Sequence, residues 1–324
     1  MTRFRFLHLL VILVLLTACL PLSMAVSPLL ATAAPGETLP ASTPTVPTSS
    51  PTLPATAAAS STGTSEPTGT AAPTDTPRPT ALSRSPGEWK TWPLIPVVPE
   101  SMRAIYERGQ QLGNNPHAFS VFGDCQSQPY VFMGAYDDDP QVVAELPWQL
   151  QETVAYFSGS FGRRSPTVRG GTTAAALLWA EWHQNKYGCR PDESPVACEL
   201  RIHRPSFAII HVGTHYEVRN ITYLRRVIQQ LIDNGVIPIL ATKADDREGD
   251  EGVNLDYATL AVEYDLPLWN FWAAVSSLPN RGLYTRTEVR YQGDVYLTDP
   301  ARLIHRFSAL MALDAVWRAV RPGP

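Results

Sequence analysis

The chain has 324 residues, a formal net charge of −4 and a charged fraction of 17%. Such a balance offers no surface for a polyanion, so nucleic acid is not an expected partner. Arg3 and Arg5 precede a segment that is apolar apart from His8 and runs to about Leu16, the n-region and h-region of an export signal within residues 1–34. Leu16-Thr17-Ala18-Cys19 has the form of a lipobox, in which a peptidase cuts before a cysteine that then carries the lipid. Ordinary cleavage near Ala31-Thr32-Ala33, or retention of an uncleaved anchor reaching Ala34, are the alternatives. All three place the main domain outside, so an extracytoplasmic, cell-surface protein is expected, and the lipobox and anchor readings tether it to the membrane through its N-terminal lipid or anchor.

Residues 35–86 are dominated by Pro, Thr, Ser and Ala. Almost no large apolar side chain is available to offset the entropy of ordering, so this segment reads as a disordered stalk with extended, polyproline-like character. Residues 87–324 are long enough for one sizeable core.

Within that part, short apolar runs at 118–122, 207–212, 236–241 and 266–271 read as strands buried on both faces. Helical patterns are expected at 146–156, 172–183, 224–233, 254–264 and 308–320, with Asn234-Gly235 as a stop signal. Strand and helix in succession predict an α/β domain, with helices on both faces of a parallel sheet. Ligands then bind beyond the carboxyl ends of the strands, which selects the loops at Gly123-Asp124-Cys125-Gln126, Gly213-Thr214-His215 and Thr242-Lys243-Ala244-Asp245.

At these residues the chain resembles the SGNH/GDSL hydrolases, ester and acyl hydrolases with a flavodoxin-like three-layer αβα sandwich that need no metal or other cofactor. Gly123-Asp124-Cys125 stands where the family has Gly-Asp-Ser after its first strand, with Cys in place of the Ser nucleophile. Arg169-Gly170-Gly171-Thr172-Thr173 is similar to the block that supplies an oxyanion-hole glycine, here Gly171. Gly213-Thr214-His215 matches the family's Gly-x-Asn, with His215 at the asparagine. The fifth block, Asp-x-x-His, is matched only loosely: Asp299 keeps the acid, Arg302 stands at the base, and His305 follows three residues later. Residues 286–289 are the other candidate for this block, and there both acid and base are missing.

Two catalytic schemes follow from the resemblance. In one, Cys125 and His215 form a thiolate–imidazolium pair, since a thiol becomes a nucleophile once a nearby cation lowers its pKa. In the other, His305 is the base, oriented by Asp299, and His215 is a neutral oxyanion donor. The implied substrate is an ester of a small molecule, lipid or glycan. A catalytically silent domain of the same fold, binding a glycan, envelope component or protein, is the alternative.

Cys189 and Cys198 are nine residues apart and, in an exported chain, most simply form a disulfide. Zinc held by this pair with His183 and His203 is the competing reading. The acidic stretches at 137–139 and 245–251 lack EF-hand spacing and read as solvated loops. Tyr216, Trp269 and Trp272 fall near strand ends, where aromatic rings suit either a sugar face or the core. His203 and His211 are expected to be hydrogen-bonded structural histidines.

Overall fold

The computed structural model describes residues 84–213, 220–290 and 294–321. The export signal, Cys19, the stalk, His215 and Tyr216 lie outside the described residues. In chain order the regular elements are α1 (Ser101–Gln111), β1 (Asn115–Gly123), α2 (Ala135–Asp138), α3 (Pro140–Ala144), α4 (Trp148–Tyr156) and α5 (Pro195–Ile202). They continue with β2 (Pro205–His211), α6 (Ile221–Asp233), β3 (Ile237–Ala241), α7 (Gly252–Glu263), β4 (Leu268–Trp269), α8 (Phe271–Val275) and α9 (Asp299–Val320).

The four strands form one all-parallel sheet in the order β1-β2-β3-β4. β2 and β3 are buried along their whole length, which is why they read as unbroken apolar runs. On the free edge of β1, Gly123 makes a parallel bridge to Val168, with Gly123 N donating to Thr167 O and Arg169 N donating to Gly123 O. Counting that short segment as a vestigial strand, the order by chain position becomes second, first, third, fourth, fifth, which is the flavodoxin-like arrangement.

Side chains alternate across the sheet. From β2, Phe207 meets Tyr106 of α1, and His211 meets His305 of α9, so this face is covered by α1, α4 and α9. The other layer is made by α5, α6 and α7. α6 shows the sequence logic well: Leu224, Val227, Ile228 and Leu231 are buried at helical spacing, and Asn220 caps the helix by accepting from Thr222 N.

Three elements differ from the sequence expectation. Residues 172–183 form two 3-10 turns, Ala176–Leu178 and Ala180–His183, because Trp179 between them adopts an extended backbone. The strand expected over 266–271 shrinks to Leu268–Trp269, since the Asn270 side chain accepts from Ala273 N and starts α8. The last helix begins nine residues earlier than its apolar pattern suggests, at Asp299 with Pro300 in its first turn.

Cys189 and Cys198 are joined by a disulfide. The zinc alternative is excluded, because His183 is engaged with Glu193 O and Asn185 N, and His203 with Phe119 O. The acidic stretches are loop fasteners: Asp137 accepts from Gly159 N and Gly162 N, and Asp246 from Gly249 N and Glu251 N. Among the described residues no helix is long and apolar enough to cross a membrane.

Candidate functional site

The carboxyl ends of β1, β2 and β3 meet at one edge of the sheet, and each carries polar residues that the core encloses. β1 ends at Gly123, whose missing side chain is a packing requirement: a Cβ there would lie 2.2 Å from the Ser127 Cβ and 3.2 Å from the His211 carbonyl oxygen. This close approach lets the chain turn at once into the 3-10 turn Cys125–Ser127, capped by the Asp124 carboxylate, which accepts from Gln126 N at 3.2 Å. Asp124, Cys125, Gln126 and Ser127 are all buried, and the Gln126 amide donates to the Val295 carbonyl.

The neighbours of Cys125 are mainly acidic. Burial pushes its thiol well above the ordinary thiol range, and the carboxylates of Asp124 and Asp245 push it further in the same direction. Tyr296 shares a hydrogen bond with the thiol; its own hydroxyl is raised by burial first and then by Cys125. Thus Tyr296 is a site residue that sequence reasoning missed. Its only sequence signal is its place a few residues before Asp299, in the region where the fifth block is sought.

β3 contributes Lys243 and Asp245. Lys243 is 1% exposed and donates to Asp245 at 2.7 Å and to Glu248 at 2.6 Å. Burial alone would lower the ammonium, but the two carboxylates outweigh it and hold Lys243 above its usual value. Burial pushes Asp245 up to about 7 against the pull of Lys243, with Asp124 and Glu248 adding to the rise. The Asn254 side chain clamps the same turn, accepting from Lys243 N and donating to Lys243 O.

Beneath this edge, His211 Nδ1 lies 3.2 Å from His305 Nε2 and 3.4 Å from the Ser127 hydroxyl. His305 is fully buried among Phe132, Trp269 and Phe271. Burial lowers His211 to about 4, and burial together with His211 lowers His305 well below the usual imidazole value. The pairing of Asp299 with His305 is not formed. Asp299 stands at the solvent end of α9 with its side chain 82% exposed and accepts from Arg302, while His305 faces inward. Asp299 and His305, six residues apart on one helix, point in different directions.

Gly171 and Gly213 both have backbones that favour glycine, at φ 82° and φ 111°. Gly171 closes a turn in which Thr172 N donates to Arg169 O. At Gly213 the constraint is doubled, because a Cβ would come within 2.7 Å of the Val253 side chain. The bridge at Val168 and the β1–β2 register, which pairs Gly123 with His211, bring the segments 123–125, 168–171 and 211–213 to the same end of the sheet. Trp269 is fully buried and belongs to the core, where its indole donates to Ser308; Trp272 packs edge-on against Trp89.

The rim of this edge carries exposed rings. Tyr130 is 78% exposed and lies close enough to Tyr296 to influence its ionisation. On the 168–171 side, the Arg169 guanidinium sits 4.6 Å above the Trp182 ring, and Trp179 is exposed beside it. No protein-family model and no curated protein matches this chain.

Proposed function

We propose that the chain carries a catalytically silent SGNH-like surface domain that binds a glycan at the carboxyl edge of its sheet. The observation that carries this reading is the environment of Cys125, a buried thiol beside two carboxylates, which favours the thiol over the nucleophilic thiolate. The buried histidines add support, since burial favours the neutral form of both. Exposed Tyr130 and Trp179, with Arg169 stacked on Trp182, offer the flat faces and hydrogen-bond donors that sugar rings use.

A second reading, an ester hydrolase acting through Cys125, draws on the convergence of 123–125, 168–171 and 211–213 with a hydrogen-bonding tyrosine at the sulfur. One experiment separates the two. The full chain is alkylated with iodoacetamide across neutral to alkaline pH, modification at Cys125 is read by mass spectrometry, and turnover of a chromogenic acetate ester is followed in parallel. The silent reading expects Cys125 to stay unmodified at neutral pH and the ester to remain uncleaved. A thiol titrating at or below the free value of about 8.5, with turnover lost in Cys125→Ala, would establish the hydrolase instead.

A further inference from the structure

A cleft of about 320 Å³, lined by none of the residues of the polar edge, opens between the 135–146 segment and the N-terminal half of α9. Tyr136, Val142 and Leu146 form one wall, and Leu303, Ile304 and Phe307 form the other. The volume falls at the lower end of the range, roughly 300 to 1,000 Å³, that suits small ligands. α9 is otherwise an inward-facing helix, with Ala301, His305, Ser308, Ala309 and Ala312 packed in the core. Leu303 and Phe307 depart from that pattern. They lie one turn apart on the outer side, 53% and 39% exposed, so the helix presents a second apolar stripe only along this cleft.

Arg306 gives the cleft a polarity. It lines the cavity between the two exposed apolar side chains and makes no hydrogen bond or ion pair with any described residue. The arginines at 163, 201, 225 and 318 are by contrast each bound to a carboxylate. Its guanidinium also works against the burial that raises the Tyr136 phenol, so the cation and the hydroxyl of this lining are close enough to interact. An apolar trough with an interacting cation and hydroxyl in its lining matches a single alkyl chain ending in a carboxylate. Glu145 also belongs to the lining, but it is exposed to solvent, where its charge is screened.

We infer that this cleft is a binding site for a fatty acid, with the chain laid against Leu303, Phe307, Val142 and Leu146 and the carboxylate on Arg306. The site is separate from the sheet edge and independent of any chemistry at Cys125.

The test uses the full chain carrying Cys19→Ala, so that no attached lipid competes, and titrates laurate by calorimetry below the concentration at which laurate forms micelles. Saturable binding of one laurate per chain is expected. Arg306→Ala should weaken it by about tenfold or more, as loss of a charge-assisted hydrogen bond would. Phe307→Glu, at an exposed position that the fold does not need, should abolish it. Dodecyltrimethylammonium, with the same chain and the opposite charge, should bind at least tenfold more weakly. Equal binding of both amphiphiles, or laurate binding unchanged in both variants, would overturn the proposal. So would a sedimentation shift from dimer to monomer caused by Phe307→Glu, which would make the cleft a contact between copies of this chain.

Discussion

His211 Nδ1 and His305 Nε2 meet at 3.2 Å in the interior, one from the end of β2 and the other from the inner face of α9. Neither ring has solvent to accept its charge, and each keeps a further ring nitrogen, His211 Nε2 and His305 Nδ1, without a hydrogen-bond partner. The pair therefore joins strand to helix in an environment that favours neutral imidazoles.

The pair should make the fold acid-sensitive. His211 is lowered from 6.5 to about 4, so below pH 6.5 the unfolded chain binds a proton that the folded chain refuses. Stability contributed by the neutral ring is present above 6.5 and is lost as pH falls towards 4. Asp245, pushed up to about 7, acts in the opposite direction, stabilising at low pH and losing that contribution as pH rises through 7. The histidine effect is therefore read as a difference. Between pH 6.5 and 4, urea unfolding should show the parent chain losing roughly 3 kcal/mol more than His211→Gln. Parallel pH profiles for the two proteins would remove the neutral pair as a source of acid sensitivity.

Lys243 is the second point of leverage. It is 1% exposed, and its ammonium is shared between Asp245 and Glu248. Replacing it with methionine fills most of the volume and leaves the buried Asp245 and the half-buried Glu248 without their cation. A loss of about 3 to 5 kcal/mol at neutral pH is expected, as for other buried ion pairs broken on one side. The loss should shrink in mild acid, where the carboxyls protonate; a cost that does not change with pH would mean that packing, not charge, accounts for it.

Gly123 tests the turn at the end of β1. Gly123→Ala places a methyl group 2.2 Å from the Ser127 Cβ, which is too close for a rotamer change to relieve. A destabilisation of about 1 to 3 kcal/mol is expected by chemical denaturation, typical of overpacking in a dense core. Adding Ser127→Gly should recover part of it, because the first obstructing atom is then gone. Failure of the double variant to recover anything would place the strain instead at the His211 carbonyl.

Much of the fold was legible from apolar runs alone. β2 and β3 are central strands of a parallel sheet, so burial on both faces writes them as continuous hydrophobic stretches at 207–212 and 236–241. The edge elements were less legible. β4 has only two residues, and its pattern merges with α8, where a single Asn270 cap decides between strand and helix. The segment 172–183 carries helical spacing, but an extended Trp179 breaks it, and nothing local in the sequence marks that break.

The candidate site divides in the same way. The abrupt Gly123-Asp124 stop, the glycines at 171 and 213, and the Cys189–Cys198 disulfide are local features, because a positive φ, a tight turn or a short loop closure depends on neighbours in the chain. By itself the sequence determined these, together with the α/β alternation. Only the tertiary structure decided that Cys125 faces Asp124, Asp245 and Tyr296, and that His305 turns into the core towards His211 while Asp299 turns to solvent. Ionisation depends on charges and burial supplied by strands and helices far apart in the chain, 94 residues between His211 and His305, and no local pattern encodes those distances.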